Sequence, residues 1–371
     1  MTCLPSRPKN DSRKRRFFAG RKACISGHRL ASQILSIALL LLFLPALAHA
    51  DENTQRRVAN IFQPVSAPAQ QIYHVAVLVL IICAGIFFVV GGILVYTIIR
   101  FRKRADDDGR EPPQVYGGTQ IELAWTVLPI LITLVLIAIT ARTIGEIQNA
   151  KMPDSAIKVR VVGHQWWWEI HYPDYGIVTA NELHVPLSAV NRRLPTHITL
   201  QSADVAHSFW VPQLAGKTDL IPNRDNETWI EPYETGTFFG NCSQYCGTQH
   251  ANMLLRVIVH TPEDFQKWVA NQKKAAVNDP LAAQGKALFY SLACINCHTI
   301  DGTIAKGGFG PDLTHLMSRQ TIGAGVADLT PTTLHEWIQN PQTLKPGCLM
   351  PDMKLLGPQV DQVTAYLQTL K

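Results

Sequence analysis

Three apolar runs without charged side chains punctuate the first part of the chain. Ile34–Ala48 spans 15 residues, whereas Val75–Ile99 and Leu123–Ala141 span 25 and 19 residues. A helix needs about 20 apolar residues to cross a bilayer. The two longer runs therefore predict a two-helix transmembrane hairpin, with spans at about 72–99 and 121–143.

The first apolar run follows a strongly basic stretch. Residues 1–50 contain nine Lys and Arg side chains and one Asp, so their net charge is +8. The net charge of the whole chain is +6, which leaves −2 for the residues after 50. A basic stretch, a short apolar run and a closing Ala48-His49-Ala50 are typical of a secretory signal peptide, here 1–50 with cleavage after Ala50. A first transmembrane helix is the alternative, although fifteen residues is short for one.

The loop between the two spans predicts the orientation of the hairpin. Arg100–Arg104 holds four basic residues directly after the first span, and basic loops stay cytoplasmic. The segment from Asp51 and everything beyond Ala141 then face outward from a bacterial inner membrane, into the periplasm of a Gram-negative cell. The slightly acidic remainder excludes a nucleic-acid partner.

Residues 51–145 thus form an N-terminal segment and hairpin, and beyond them the periodicity changes twice. Between 150 and 262, alternating runs such as Ile157–Val161, separated by Pro and Gly, predict an all-β sandwich or Greek-key barrel. Residues 263–280 are polar and helix-prone and predict a linker. Residues 281–371 predict an all-α domain of short helices.

One pair of cysteines lies in a cluster of metal-binding side chains. Cys242, Cys246, His250 and Met253 fall within twelve residues, and thiolate, thioether and imidazole ligands select copper. Two bridging thiolates can hold two copper ions close together, with His207 from another strand as the second imidazole. A disulfide and a zinc site, for which Met is a poor ligand, are the alternatives.

A second pair lies in Cys294-Ile295-Asn296-Cys297-His298. C-x-x-C-H is the attachment motif of c-type haem: Cys294 and Cys297 form thioethers and His298 binds the iron. Met350 is the predicted second axial ligand, because a Met/His pair raises the haem potential for electron transfer. A redox dithiol is the alternative for the cysteines. Two other methionines are alternatives for the axial position: Met353 and Met317.

Together these motifs resemble subunit II of a haem-copper cytochrome c oxidase, in the form with a C-terminally fused cytochrome c domain. The resemblance covers residues 70–371, and its Cys-x3-Cys-x3-His-x2-Met run is highly specific for the dinuclear copper centre CuA. It implies a cupredoxin Greek-key barrel, a class I cytochrome c domain and one covalent haem c. The implied CuA ligands are the side chains of His207, Cys242, Cys246, His250 and Met253 and the backbone carbonyl of Gln244.

The resemblance also implies one residue with a role in electron transfer and one with a role in proton uptake. Trp166, the first Trp of Gly163–Trp168, is similar to the surface entry point for electrons from cytochrome c; plain aromatic packing is the alternative for at least one of its two neighbours. Glu122 matches a glutamate at the mouth of a proton channel in subunit I, and the predicted topology puts it at the cytoplasmic end of its span. An interfacial Glu without that task is the alternative.

Three positions depart from the family pattern. Gln244 stands where a Glu usually helps to bind magnesium at the subunit I interface, which puts that magnesium site in doubt but keeps the backbone carbonyl for copper. Asn223 replaces a usual Gly, and Phe209 stands where Trp is common. Neither of these two is a copper ligand.

The implied function is that of the electron-input subunit of cytochrome c oxidase. Electrons would pass from cytochrome c through haem c and CuA to haem a in subunit I, where oxygen is reduced to water and protons are pumped. The implied partners are subunit I, other oxidase subunits, cytochrome c and the lipid bilayer. The alternatives are the CuA subunit of a nitric oxide reductase-like enzyme and a non-enzymatic, membrane-anchored electron shuttle.

Overall fold

The computed structural model describes residues 60–103, 109, 111, 113–188 and 193–371. The predicted signal peptide and its cleavage site after Ala50 lie outside these residues. So does Arg104, the last residue of the basic loop.

Two long helices precede the folded domains: α1, Ala67–Arg100, and α2, Thr119–Gln148. At 1.5 Å per residue each is about 45–50 Å long, more than the roughly 30 Å hydrocarbon core of a bilayer. Their most apolar stretches contain no buried residue, so these side chains are free to meet lipid. Both helices continue beyond the predicted spans because polar pairs support their ends. Arg142, for example, donates to Glu146 one turn later at 2.7 Å.

The β domain consists of two packed five-stranded sheets. Its strands are β1 Ile157–His164, β2 Trp167–Tyr172, β3 Ile177–Ala180, β4 Glu182–Pro186, β5 Thr196–Ser202, β6 His207–Trp210, β7 Thr218–Leu220, β8 Asn226–Ile230, β9 Gly236–Cys242 and β10 Leu254–His260. The sheet orders are β3-β2-β1-β5-β8 and β4-β10-β9-β6-β7. β1 pairs with β5 and β4 with β10 in parallel, and the other pairs are antiparallel. The predicted all-β sandwich is confirmed.

Helix α3, Pro262–Gln272, follows the last strand directly. Thr261 caps it by accepting a hydrogen bond from Asp264 N, and Pro262 occupies the first turn. Phe265 and Val269 pack into the core of the sandwich. The first half of the segment predicted as a linker is therefore docked on the β domain, because its apolar positions recur at helical spacing.

The C-terminal domain packs short helices around a second core. They are α4 Ala283–Ser291, α5 Cys294–Cys297, α6 Pro331–Gln339, α7 Pro341–Leu344 and α8 Gly357–Leu367, with a two-stranded ribbon of β11 Thr321–Ile322 and β12 Ala327–Asp328. Helices α4 and α8 cross at Gly285, where an added Cβ would lie 1.9 Å from Gln362 O. Phe289 and Tyr366 meet beside this crossing, with ring centroids 5.7 Å apart. The predicted all-α domain is confirmed.

The β domain and the C-terminal domain share a buried interface. The fully buried carboxylate of Glu182 accepts hydrogen bonds from Gln320 N, Thr321 N and Thr321 Oγ1, at 2.8 to 3.0 Å. Close by, Leu254 N donates to Ala324 O at 3.1 Å. These contacts hold the edge of β11 against the start of β4 and β10.

Glu182→Gln is expected to weaken this interface by about 1–3 kcal/mol, because an amide replaces a carboxylate that accepts several charge-assisted bonds. Hydrogen exchange of the Gln320 and Thr321 amides should accelerate. Glu234→Gln, at an exposed position of the β domain, should leave this exchange unchanged. Equal protection in both variants would contradict the assignment.

Candidate functional site

Strand pairing brings the first two predicted copper ligands together. His207 is the first residue of β6, and Cys242 is the last residue of β9, which pairs with β6. As a result, Cys242 Sγ lies 3.9 Å from His207 Nδ1. Both residues are almost fully buried, so a bound ion would be shielded from water.

The loop between β9 and β10 supplies the other predicted ligands. Cys246 Sγ lies 3.7 Å from Cys242 Sγ, 3.6 Å from His250 Nδ1 and 3.9 Å from Met253 Sδ. Gln244 O lies 3.1 Å from Cys242 Sγ. Both thiols are free, and their separation exceeds the roughly 2.05 Å of a disulfide. The structure therefore links all six predicted ligands through the two cysteines, and the ligand atoms of His207, Cys242 and Cys246 all lie within 4.8 Å of one another. Sulfur with imidazole fits copper.

The two thiols are coupled through their hydrogen bond. The hydrogen bond between the two sulfur atoms lowers the pKa of Cys242. The same bond, with the neighbouring thiolate, raises the pKa of Cys246. Copper binds the thiolate form of cysteine, so a metal cation that binds both sulfur atoms would displace their protons.

Asp204 orients one of the predicted copper ligands and was missed by sequence reasoning. His207 Nε2 donates to Asp204 Oδ1 at 2.8 Å, which leaves Nδ1 free on the side of Cys242. The same carboxylate accepts from Gln165 N at 2.6 Å. Although burial opposes ionisation, the bonds from His207 and the backbone hold the pKa of Asp204 below its usual value. A carboxylate in this position fixes the tautomer and orientation of a ligating imidazole.

Asp204→Asn is expected to weaken copper binding by about 10–100-fold, the usual cost of losing such an outer partner. Chelator competition on the purified chain measures this, and haem content serves as an internal check on folding. Asp225→Asn is the matched control, since Asp225 accepts a bond from Gln201 on the exposed side of the β domain. Equal copper affinity in the two variants would contradict the role given to Asp204.

The second site surrounds α5 and the residue after it. His298 Nδ1 donates to Pro311 O at 2.8 Å, which leaves Nε2 available to an iron ion. A Cβ at Gly310 would lie 2.6 Å from the imidazole, so glycine is needed for this close approach. Burial lowers the pKa of His298, which favours the neutral ring that metal binding requires.

A cavity opens in front of this histidine, and its chemistry fits a haem. Cys294, Cys297, His298 and Met350 all line it. Arg319 also lines it, and its buried Nε lacks a hydrogen-bond partner among the described residues. A buried guanidinium with a free donor suits an anionic haem propionate.

The cavity also bears on the choice of the second axial ligand. Met350 and Met353 both line it, and Met317 is not among the described residues around it. Trp337 Nε1 donates to Met350 Sδ at 3.0 Å and so orients this thioether. This bond holds Met350 in the wall of the cavity.

Trp166 lies between the two sites instead of on the surface. Its side chain is only 8% exposed, and the indole Nε1 donates to Cys246 O at 2.9 Å. Trp166 also lines the cavity in front of His298, as does its neighbour Trp167. Trp166 is buried instead of exposed because the C-terminal domain covers this face, and its role as the entry point for electrons remains a prediction. Trp168 is fully buried against Phe209, which is aromatic packing.

Comparison with known proteins covers both domains and the hairpin. The family models that match are the transmembrane domain of cytochrome c oxidase subunit II at 55–144, its periplasmic domain at 189–260 and cytochrome c at 282–371. Cytochrome c oxidase subunit 2 of Alkalihalophilus pseudofirmus is 32% identical over 352 residues, 92% of this chain and 98% of that protein. The chain belongs to the cytochrome c oxidase subunit II family.

Other relatives agree with this assignment. Cytochrome c oxidase subunit 2 of Bacillus subtilis is 30% identical over 90% of this chain and 97% of that protein. Cytochrome c oxidase subunit 2 of Bacillus sp. strain PS3 is 34% identical over 73% of this chain and 80% of that protein. This subunit II is therefore a membrane-anchored component of a haem-copper oxidase, with a cupredoxin-like domain that implies copper and a cytochrome c domain that implies haem.

Glu122 lies at the opposite end of this subunit II. It occupies the first turn of α2, where its exposed carboxylate accepts a bond from Gly118 N at 3.3 Å. This contact helps to cap the helix, as an acidic side chain at a helix N-terminus does. A role for Glu122 at a proton channel remains a prediction.

Proposed function

We propose that this subunit II takes electrons from cytochrome c through a covalent haem c and a dinuclear CuA centre and delivers them to haem a of subunit I. There oxygen is reduced to water and protons are pumped. When bound, the haem and the copper ions supply carriers for single electrons. The observation that carries the proposal is the position of Trp166, which borders the haem cavity and donates to the carbonyl of Cys246.

The chain's residues divide the work between the two domains. Cys294 and Cys297 would bind the haem covalently, and His298 and Met350 would ligate its iron. The copper ions would be held by His207, Cys242, Gln244, Cys246, His250 and Met253. Four of the copper-binding side chains, those of His207, Cys242, Cys246 and Met253, are buried, which excludes water from that side of the copper site, so little solvent reorganises there when an electron moves.

The hairpin gives the proposed orientation. Trp229 Nε1 of the β domain donates to Ile147 O near the end of α2, and Glu231 N donates to Ser66 Oγ just before α1. The start of α1 and the end of α2 thus meet the β domain, while the basic end of α1 at Arg100 lies across the bilayer. With that end cytoplasmic, the copper and haem domains face the periplasm.

Rapid mixing of the purified oxidase with reduced cytochrome c tests the proposed route. The haem c band should change first, the near-infrared copper band second, and oxygen consumption should follow. Trp166→Phe should slow the second change and leave the first unaltered, because it removes the donor to Cys246 O. Reduction of the copper centre while haem c stays oxidised would contradict the order.

A further inference from the structure

A buried lysine joins the two cofactor domains. Lys345 is only 3% exposed. Its ammonium Nζ donates to Trp166 O, Asn252 O and Gly323 O, each at 2.8 Å. An ammonium has three donors, and all three are used here on backbone carbonyls.

These carbonyls belong to both sides of the interface. Trp166 borders the haem cavity, and Asn252 directly precedes the copper ligand Met253, so two of the bonds reach the β domain. Gly323 lies in the C-terminal domain beside β11. Lys345 itself comes five residues before Met350 in the same loop. A single side chain therefore ties the loop with the haem ligand to the loop with the copper ligands.

Neighbouring contacts strengthen this joint. Gln249, between two copper ligands, donates through Nε2 to Pro346 O. Gly347 has φ +84°, and a Cβ there would lie 3.2 Å from Thr248 Cγ2. The turn after Lys345 thus lies directly on the copper-binding loop.

The positive charge is retained in this setting. Burial lowers the pKa of Lys345 to about 8, but the three carbonyl acceptors favour the protonated form, since only the ammonium can donate to all three. Burying a charge is costly unless its donors are satisfied, and here three carbonyl dipoles satisfy them. A fixed positive charge beside two redox sites favours the reduced form of each.

We infer that Lys345 is a positioning residue that clasps the haem-binding domain onto Trp166 and the copper-binding loop, and that its charge raises the midpoint potentials of both centres. The inference rests on the proposed function. In the step that it supports, reduced haem c loses one electron and the copper centre gains that electron, with no bond or proton exchanged. The clasp also closes the Trp166 face to a soluble donor.

Lys345→Met in the purified oxidase tests the clasp, since methionine keeps the length of the side chain without its charge or donors. Lys345→Gln, which keeps two donors, is a second variant that still tests the clasp if Lys345→Met does not fold. Lys354→Met is the matched control, because Lys354 is an exposed lysine four residues after Met350. Each variant is checked for haem and copper content. Flash photoreduction of haem c then gives the rate of transfer to copper, and redox titration gives both potentials.

The clasp predicts that Lys345→Met slows transfer by about tenfold or more, equivalent to about 1.4 kcal/mol on the barrier, and lowers both midpoint potentials. The transfer rate and the potentials of Lys345→Gln should lie between those of Lys345→Met and of the wild type. Those of Lys354→Met should match the wild type. An unchanged rate in Lys345→Met, or a slower rate with both potentials unchanged, would overturn the inference. Failure of wild-type haem c to reduce copper would instead contradict the proposed function.

Discussion

Cys246→Ser should abolish electron delivery to subunit I while leaving haem c reducible by cytochrome c. Cys246 Sγ lies within 3.9 Å of the sulfur or nitrogen atoms of three other proposed ligands, so the variant would lose a thiolate that we propose to bridge two copper ions. The loss of activity should exceed the roughly 10–100-fold cost of removing an outer hydrogen bond. Oxygen consumption and the copper EPR signal measure the effect.

Cys83→Ser is the control for the loss of a thiol. Cys83 is exposed on α1, far along the chain from the copper ligands. This variant should keep its copper and its oxygen consumption. If Cys246→Ser also kept a mixed-valence copper signal, the ligand assignment would be wrong.

Met350→Ala should cause the second large effect, because it removes the proposed second axial ligand of haem c. Axial ligands set haem potentials over a range of about 0.8 V, and methionine lies toward the high end. We therefore expect the haem c potential to fall by on the order of 0.1 V or more, with loss of the methionine–iron absorption band. Transfer from cytochrome c to haem c should then become unfavourable.

Met353→Ala shows which of the two methionines that line the cavity binds the haem iron. Because Trp337 orients Met350, the absorption band and the potential should survive in Met353→Ala. Loss of the band in this variant, with retention in Met350→Ala, would assign the ligand to Met353 instead.

The cluster of proposed copper ligands could be predicted because most of its members are close in sequence. Cys242, Cys246, His250 and Met253 lie on one loop, and their spacing indicates the chemistry before any fold is known. His207 required a strand pairing, that of β6 with β9, which the alternating pattern alone leaves undetermined. The family motif supplied this missing contact.

Residues that act across the interface could not be predicted in the same way. Lys345 meets Trp166 and Asn252 across 179 and 93 positions of chain, and hydrophobic periodicity carries no information on such contacts. Burial of Trp166 likewise depends on how the C-terminal domain docks. Asp204 gave a weak signal, an acid three residues before a ligand, but acids at this spacing are common in turns.

The most direct test of the account is the metal and haem content of the purified full-length chain, with EPR of its oxidised form. The account predicts two copper ions and one covalent haem c per chain, and a signal from one unpaired electron shared by two copper nuclei. One copper ion per chain, or a signal localised on a single nucleus, would contradict the dinuclear centre at Cys242 and Cys246.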